Sequence, residues 1–315
     1  MILIQNAHIK TMAEKEYENG CILLGDDGKI AEIAETISAP EGAYVIDAEG
    51  KLVTPGCVDA HCHIGLHEQA VRWEGSDVNE KGDPITPQMR AIDSINPMDE
   101  AFPQAIRGGV TTACTGPGSA NVVGGTFAAI KLSGKRVDDM IIKNPVAMKC
   151  AFGENPKGAY GGQKKMPMTR MGTGAVLRET LFNAKQYAED KAAAEAEGKP
   201  FKKDFKLEAL VPVVRGEMRC RIHCHRADDI MTAIRVSEEF GLDFSVEHVT
   251  EGFKIADILA QKQVKCVVGP MRMIPSKMEV WNCTIENPAM MEKAGCEIAL
   301  SADAQSATRW LPEEV

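Results

Sequence analysis

The run Asp59-Ala60-His61-Cys62-His63 follows an apolar approach, Leu52-Val53-Thr54-Pro55-Gly56-Cys57-Val58. Side chains alternate faces along a strand, so His61 and His63 share one face and Cys62 takes the other. Two imidazoles on one face at a strand end can chelate one metal ion. A lone His-X-His is a weak sign, but two further strand-like runs end in histidine. Residues 219–225 carry His223 and His225, and 242–248 carry His248. A fourth run, Ala299-Leu300-Ser301-Ala302-Asp303, ends in a carboxylate. Ligands drawn from several strands need those strands to end at one rim, and a parallel barrel supplies such a rim.

The pattern along the chain changes once. Residues 1–54 carry short alternating runs broken by Asn19-Gly20, Asp26-Asp27-Gly28 and Glu49-Gly50, which suits hairpins. Residues 55–315 alternate strand-length apolar runs with helical segments, the mark of βαβ units. Strands are expected at 110–115, 146–152, 219–225, 242–249, 264–268 and 297–301, with helices at 179–198 and 228–240. Two glycine-rich loops, 115–125 and 153–170, follow strands and so belong at the rim. The first has the order of neither nucleotide fingerprint. The second brings Lys157, Lys164, Lys165 and Arg170 into an acidic chain, a candidate seat for a substrate carboxylate.

Composition excludes some classes. A formal charge of -9 argues against a nucleic-acid or anionic-membrane surface, because phosphate binding needs clustered cations. No apolar run has the roughly 20 residues that a membrane span needs, and the N-terminus lacks the charged start of a secretory signal. A cytoplasmic protein is expected. The ten cysteines stand singly without a C-x-x-C pair, as reduced core thiols do.

The order His-X-His, His, His, Asp resembles the amidohydrolase superfamily, with its imidazolonepropionase-like and prolidase-like members. The opening is similar too: Ile2-Leu3-Ile4-Gln5-Asn6-Ala7, Gly28-Lys29-Ile30-Ala31-Glu32-Ile33 and Val45-Ile46-Asp47-Ala48-Glu49-Gly50-Lys51-Leu52. The resemblance implies a (β/α)8 TIM-type barrel over residues 55–315, with 1–54 as part of a small N-terminal β-sandwich. It implies His61, His63, His223, His248 and Asp303 as ligands of one or two divalent ions, zinc above all. Lys149 lies in an apolar run where a free ammonium is costly. In binuclear relatives a strand lysine is carboxylated and bridges both ions, which makes Lys149 a sixth ligand, with Glu154 as the alternative carboxylate.

The implied reaction is hydrolysis of an amide-type C–N bond in a dipeptide, N-acyl amino acid or cyclic amide. Metal-activated hydroxide attacks, the ion having lowered the pKa of its water toward ~7. Asp303 moves the proton, and His225, on the face of His223, contacts substrate or the oxyanion. Deamination of a heterocyclic base is the alternative. Deaminases of the superfamily place Glu three residues after the fifth-strand His, where this chain has Arg226. A non-catalytic metal-binding barrel is a third reading, and it predicts lost ligands. Relatives continue further past the catalytic Asp, so the chain is expected to lack a C-terminal segment; an apolar seam left there favours homo-oligomers.

Overall fold

The computed structural model describes residues 1–303 and 307–314. The chain divides into two compact units, Met1–Gly56 and Cys57–Val315. In the first, β1 (Ile2–Lys10), β2 (Glu16–Leu24), β3 (Ile30–Ala34), β4 (Tyr44–Asp47) and β5 (Leu52–Val53) form one five-stranded sheet. Strand β1 lies between antiparallel β2 and parallel β4 and β5. Ala7, Ile9, Tyr17, Ile22 and Ala48 make its small core. All five strands join one sheet, the part that residues 1–54 would contribute to the expected sandwich.

The second unit is mixed α/β. Its strands are β6 (Cys57–Cys62), β7 (Val110–Thr115), β8 (Val123–Thr126), β9 (Ala128–Lys131), β10 (Ile141–Lys143), β11 (Ala147–Ala151), β12 (Arg219–Cys224), β13 (Phe244–His248), β14 (Lys265–Val268) and β15 (Ile298–Leu300). Its helices are α1 (Ala101–Arg107), α2 (Val137–Met140), α3 (Glu154–Gly161), α4 (Arg170–Ala196), α5 (Phe205–Val214), α6 (Ala227–Phe240), α7 (Ala256–Gln261) and α8 (Asn287–Lys293). One sheet has the order β10-β9-β7-β6, the other β15-β14-β13-β12-β11-β8. Strands β11 to β15 run parallel in succession, as do β6 and β7.

This is a TIM-barrel-like arrangement whose ladder does not close among the described residues. The stretch 123–131, expected to begin as a loop, crosses between the sheets and runs antiparallel in both: β8 pairs with β11 and β9 with β7. The two ladders part at Phe127, whose backbone still exchanges bonds with Ala147 O and Val146 N. At the other seam Asp303 N donates to His61 O at 3.2 Å, so the segment after β15 lies against β6.

Strand alternation sorts the side chains. On β12, Cys220, Ile222 and Cys224 join the helix-side core with Leu177, Leu181, Ile230 and Ile234, while Arg221 and His223 take the opposite face. Each fully buried Leu or Ile there stabilises the layer by about 1.5–3 kcal/mol. Helix α6 ends at Gly241, whose φ of 66° suits a glycine C-cap. The expected loop 153–170 instead contains α3, pinned by buried Tyr160, whose hydroxyl lies 2.6 Å from Asn121 Oδ1 and 2.8 Å from Asp83 O and has one proton to share between these acceptors. Among the described residues no helix is long and apolar enough to cross a membrane.

Candidate metal centre

His61, His63, Lys149, His223, His225, His248 and Asp303 all lie on β6, β11, β12, β13 or the turns that leave β6, β12 and β15. Register explains the assembly. His223 is opposite Ala151 and Glu247, and Cys224 is opposite His248. Rings then meet in space: His61 to His248 is 4.9 Å between centroids, His223 to His248 4.5 Å, and His223 to His225 4.7 Å. His8 belongs to β1 in the other unit, and His67 makes a bridge to Ser76.

Each ring is held by one nitrogen. Glu247 Oε2 accepts from His61 Nδ1 at 2.8 Å, Gly116 O from His63 Nδ1 at 2.7 Å, and Gly269 O from His248 Nδ1 at 2.9 Å. Because carboxylates and carbonyls only accept, these bonds place the proton on Nδ1 and leave Nε2 as the lone-pair atom. Asp303 Oδ1 lies 3.7 Å from His61 Nε2 and 3.5 Å from His63 Nε2. Such distances are too long for hydrogen bonds. They come within about 0.2 Å of the spacing of neighbouring donors around one zinc-sized ion, about 3.3–3.6 Å for tetrahedral bonds near 2.0–2.2 Å. Among the described residues, buried Asp303 Oδ1 and His223 Nδ1 have no hydrogen-bond partner, and the Asp303 oxygen facing both rings suits a cation. The residues fit a divalent metal.

Two groups whose donor atoms lie within 4.8 Å of one another emerge among the described residues: His61, His63 and Asp303, and His223, His225 and Glu279. Lys149 is fully buried, with Nζ 3.2 Å from His61 Nε2. Glu154 lies in neither group; its backbone N donates to Glu279 Oε2 at 2.8 Å. Arg170 is taken up by Asp229, to which its Nε donates at 3.0 Å, whereas Lys157, Lys164 and Lys165 are exposed.

Burial sets most of the electrostatics. It pushes the His61, His223 and His225 imidazolium pKa values well below the usual range, so these rings are neutral, as ligands must be. Burial pushes the Lys149 ammonium down to about 8, against the pull of Asp303 and Glu247. Burial alone would raise the Asp303 carboxyl, but His248 and His63 hold it well below the ordinary carboxylate range. Burial raises Asp59 to about 7 despite bonds from Ala302 N and His61 N. The backbone is strained at the same place: His248 (φ 73°), Val249 (48°) and Asp303 (61°) are left-handed without being glycine.

Sequence reasoning missed a buried ion pair beneath His61. Arg221 donates to Glu247 through Nε (3.1 Å) and Nη2 (2.8 Å), and Ser245 Oγ adds a bond of 2.5 Å. The signal was present, since Arg221 and Glu247 interrupt apolar strands on the faces that carry His223 and Ser245. Glu279 and Lys277 were missed as well, and their aperiodic segment gives no signal.

A crystal structure of an amidohydrolase from Thermotoga maritima superposes with a TM-score of 0.94 at 41% identity, covering 100% of this chain and 82% of that one. The chain belongs to the amidohydrolase superfamily. Amidohydrolase tasK of Hapsidospora irregularis is 31% identical over 261 residues, 75% of this chain. A dihydroorotase of Bacillus cytotoxicus is 53% identical over a shorter match of 53 residues. The chain spans about a quarter of tasK, 27%, and 12% of the dihydroorotase. No family model matches.

Proposed function

We propose that the protein is a metal-dependent hydrolase of amide-type C–N bonds in small molecules. The observation that carries this reading is the unpartnered Asp303 Oδ1 set between the lone-pair nitrogens of His61 and His63. The amidohydrolase relatives support the reaction class. His61, His63 and Asp303 would hold one ion; His223, His248 and a carboxylated Lys149 would complete a pair. A bound divalent ion supplies Lewis acidity and a water of lowered pKa.

The chain's own groups do the rest. Asp303 is ionised, a quarter exposed, and faces His61, His63 and His248, so it can take the proton of the attacking water and return it to the leaving nitrogen. The Glu247–Arg221 pair fixes His61. Lys149 reacts as its neutral amine: Nζ attacks CO2, a C–N bond forms, and the nitrogen releases a proton to solvent. His225 is held by Thr250 at 2.8 Å, with Nε2 toward Glu279. Exposed Lys157, Lys164 and Lys165 favour substrates bearing a carboxylate. Deamination is disfavoured because Arg226 donates to Asp228 and offers no carboxyl to a ring nitrogen.

The test is a screen of dipeptides, N-acyl amino acids and cyclic imides with zinc- or manganese-loaded protein. Hydrolysis of one class, abolished in Asp303→Asn, is expected. A loaded protein that cleaves none of these classes refutes the reading.

A further inference from the structure

Glu279 lies on the segment between β14 and α8 and is 1% exposed. Its Oε1 is 3.8 Å from His223 Nε2 and 3.8 Å from His225 Nε2. The spacing exceeds a hydrogen bond and stands a few tenths of an ångström above that of donors gathered about one zinc ion, so a small side-chain shift would bring them together. The surroundings hold the carboxylate in place. Glu154 N donates to Oε2 at 2.8 Å, and Lys277 Nζ donates to Oε1 at 2.5 Å. Gly153 has φ 84°, which favours glycine, and a Cβ there would stand 2.6 Å from Glu279 Oε2 and push the carboxylate aside.

The orientation of the rings is fixed by the same residues. Lys277 Nζ also donates to Asn155 Oδ1 at 2.8 Å, which identifies the amide oxygen of Asn155. The amide nitrogen of Asn155 then donates to His223 Nε2 at 3.2 Å, marking that atom as the lone-pair side of the ring. His225 is held through Nδ1 by Thr250, with Nε2 toward Glu279.

We propose that His223, His225 and Glu279 form a divalent-cation position of zinc type that needs no modification of Lys149. It rests on the metal-hydrolase reading above and extends the ligand set by Glu279 and His225. Two imidazoles and one carboxylate are a common zinc set. Lys277 competes with the ion. Its ammonium neutralises Glu279 while the position is free, and an arriving cation displaces it from Oε1.

The experiment is equilibrium dialysis of metal-stripped full chain against zinc chloride in bicarbonate-free buffer, with bound zinc per chain read by mass spectrometry. The wild type should bind two ions, and Glu279→Gln and His225→Ala one each. Lys277→Met keeps the ligands and removes the competitor, so its second ion should bind at lower zinc than in the wild type. Circular dichroism confirms that each variant is folded, and Lys277→Met keeps the test decisive if the ligand variants fail to fold. Two ions retained in both ligand variants, or an unchanged isotherm in Lys277→Met, overturns the proposal. A wild type that binds one ion, lost in Asp303→Asn, overturns this position and leaves the hydrolase reading standing. A wild type that binds none overturns both.

Discussion

Arg221→Met tests how the site is held from beneath. In the native protein Glu247 is fully buried and accepts from Arg221 Nε and Nη2, Ser245 Oγ and His61 Nδ1. Methionine keeps much of the arginine's length and removes both guanidinium bonds, along with the contact to Cys114 Sγ at 2.9 Å. A buried carboxylate then has two donors and no ion partner. Breaking such a pair costs about 3–5 kcal/mol. At about 2–4 °C per kcal/mol for a domain of this size, the metal-free protein should melt about 6–20 °C lower. The double variant Arg221→Met/Glu247→Leu leaves no orphan charge and should regain most of that loss. It should still bind zinc about 10–100-fold more weakly, because His61 Nδ1 has lost the acceptor that orients the ring. Thermal melts of metal-free protein and zinc isotherms separate the two effects. A melting drop below about 2 °C in Arg221→Met, or wild-type zinc affinity in the double variant, refutes the positioning role.

Asp303→Asn keeps the shape and loses the base, so turnover should fall by about 10²–10⁴-fold or more while some zinc is retained; full activity would remove Asp303 from the chemistry. Lys149→Ala should lose any strengthening of zinc binding by bicarbonate, and unchanged zinc affinity with unchanged turnover would show that this lysine is no ligand. The buried Lys149 ammonium titrates at about 8, below an unfolded lysine near ~10.4. Between those values the folded chain binds fewer protons than the unfolded one, so this group's contribution is present above ~10.4 and is lost as pH falls through about 8. Lys149→Met should therefore show a flatter rise of melting temperature from pH 8 to 10, and bicarbonate activation of the wild type should grow from pH 7 to 9; activation that declines over that range contradicts the assignment.

The histidines were legible because strand period is two: His61 and His63 had to share a face, and His223, His248 and Asp303 close other strands of the same rim. Helix α6 was legible from its acidic first turn and terminal glycine. Helix α4 begins earlier than 179 because Thr169 caps it, accepting from Gly172 N at 2.9 Å; Gly172 and Gly174 lower helix propensity and hid that first turn. The antiparallel 123–131 strand was hidden for a related reason. Gly124 and Gly125 read as loop, yet Gly125 (φ 113°) is needed because a Cβ there would lie 2.5 Å from Met89 O. Glu279 reaches His223 and His225 only through tertiary placement of its segment, which no local pattern encodes.

The most direct test of the central claim is a crystal of zinc-loaded protein measured at the zinc absorption edge. An anomalous peak should lie between His61, His63 and Asp303, with nitrogen-to-metal distances of about 2.0–2.1 Å. A strongest peak away from these three residues, or no peak from protein that hydrolyses its substrate, would contradict it.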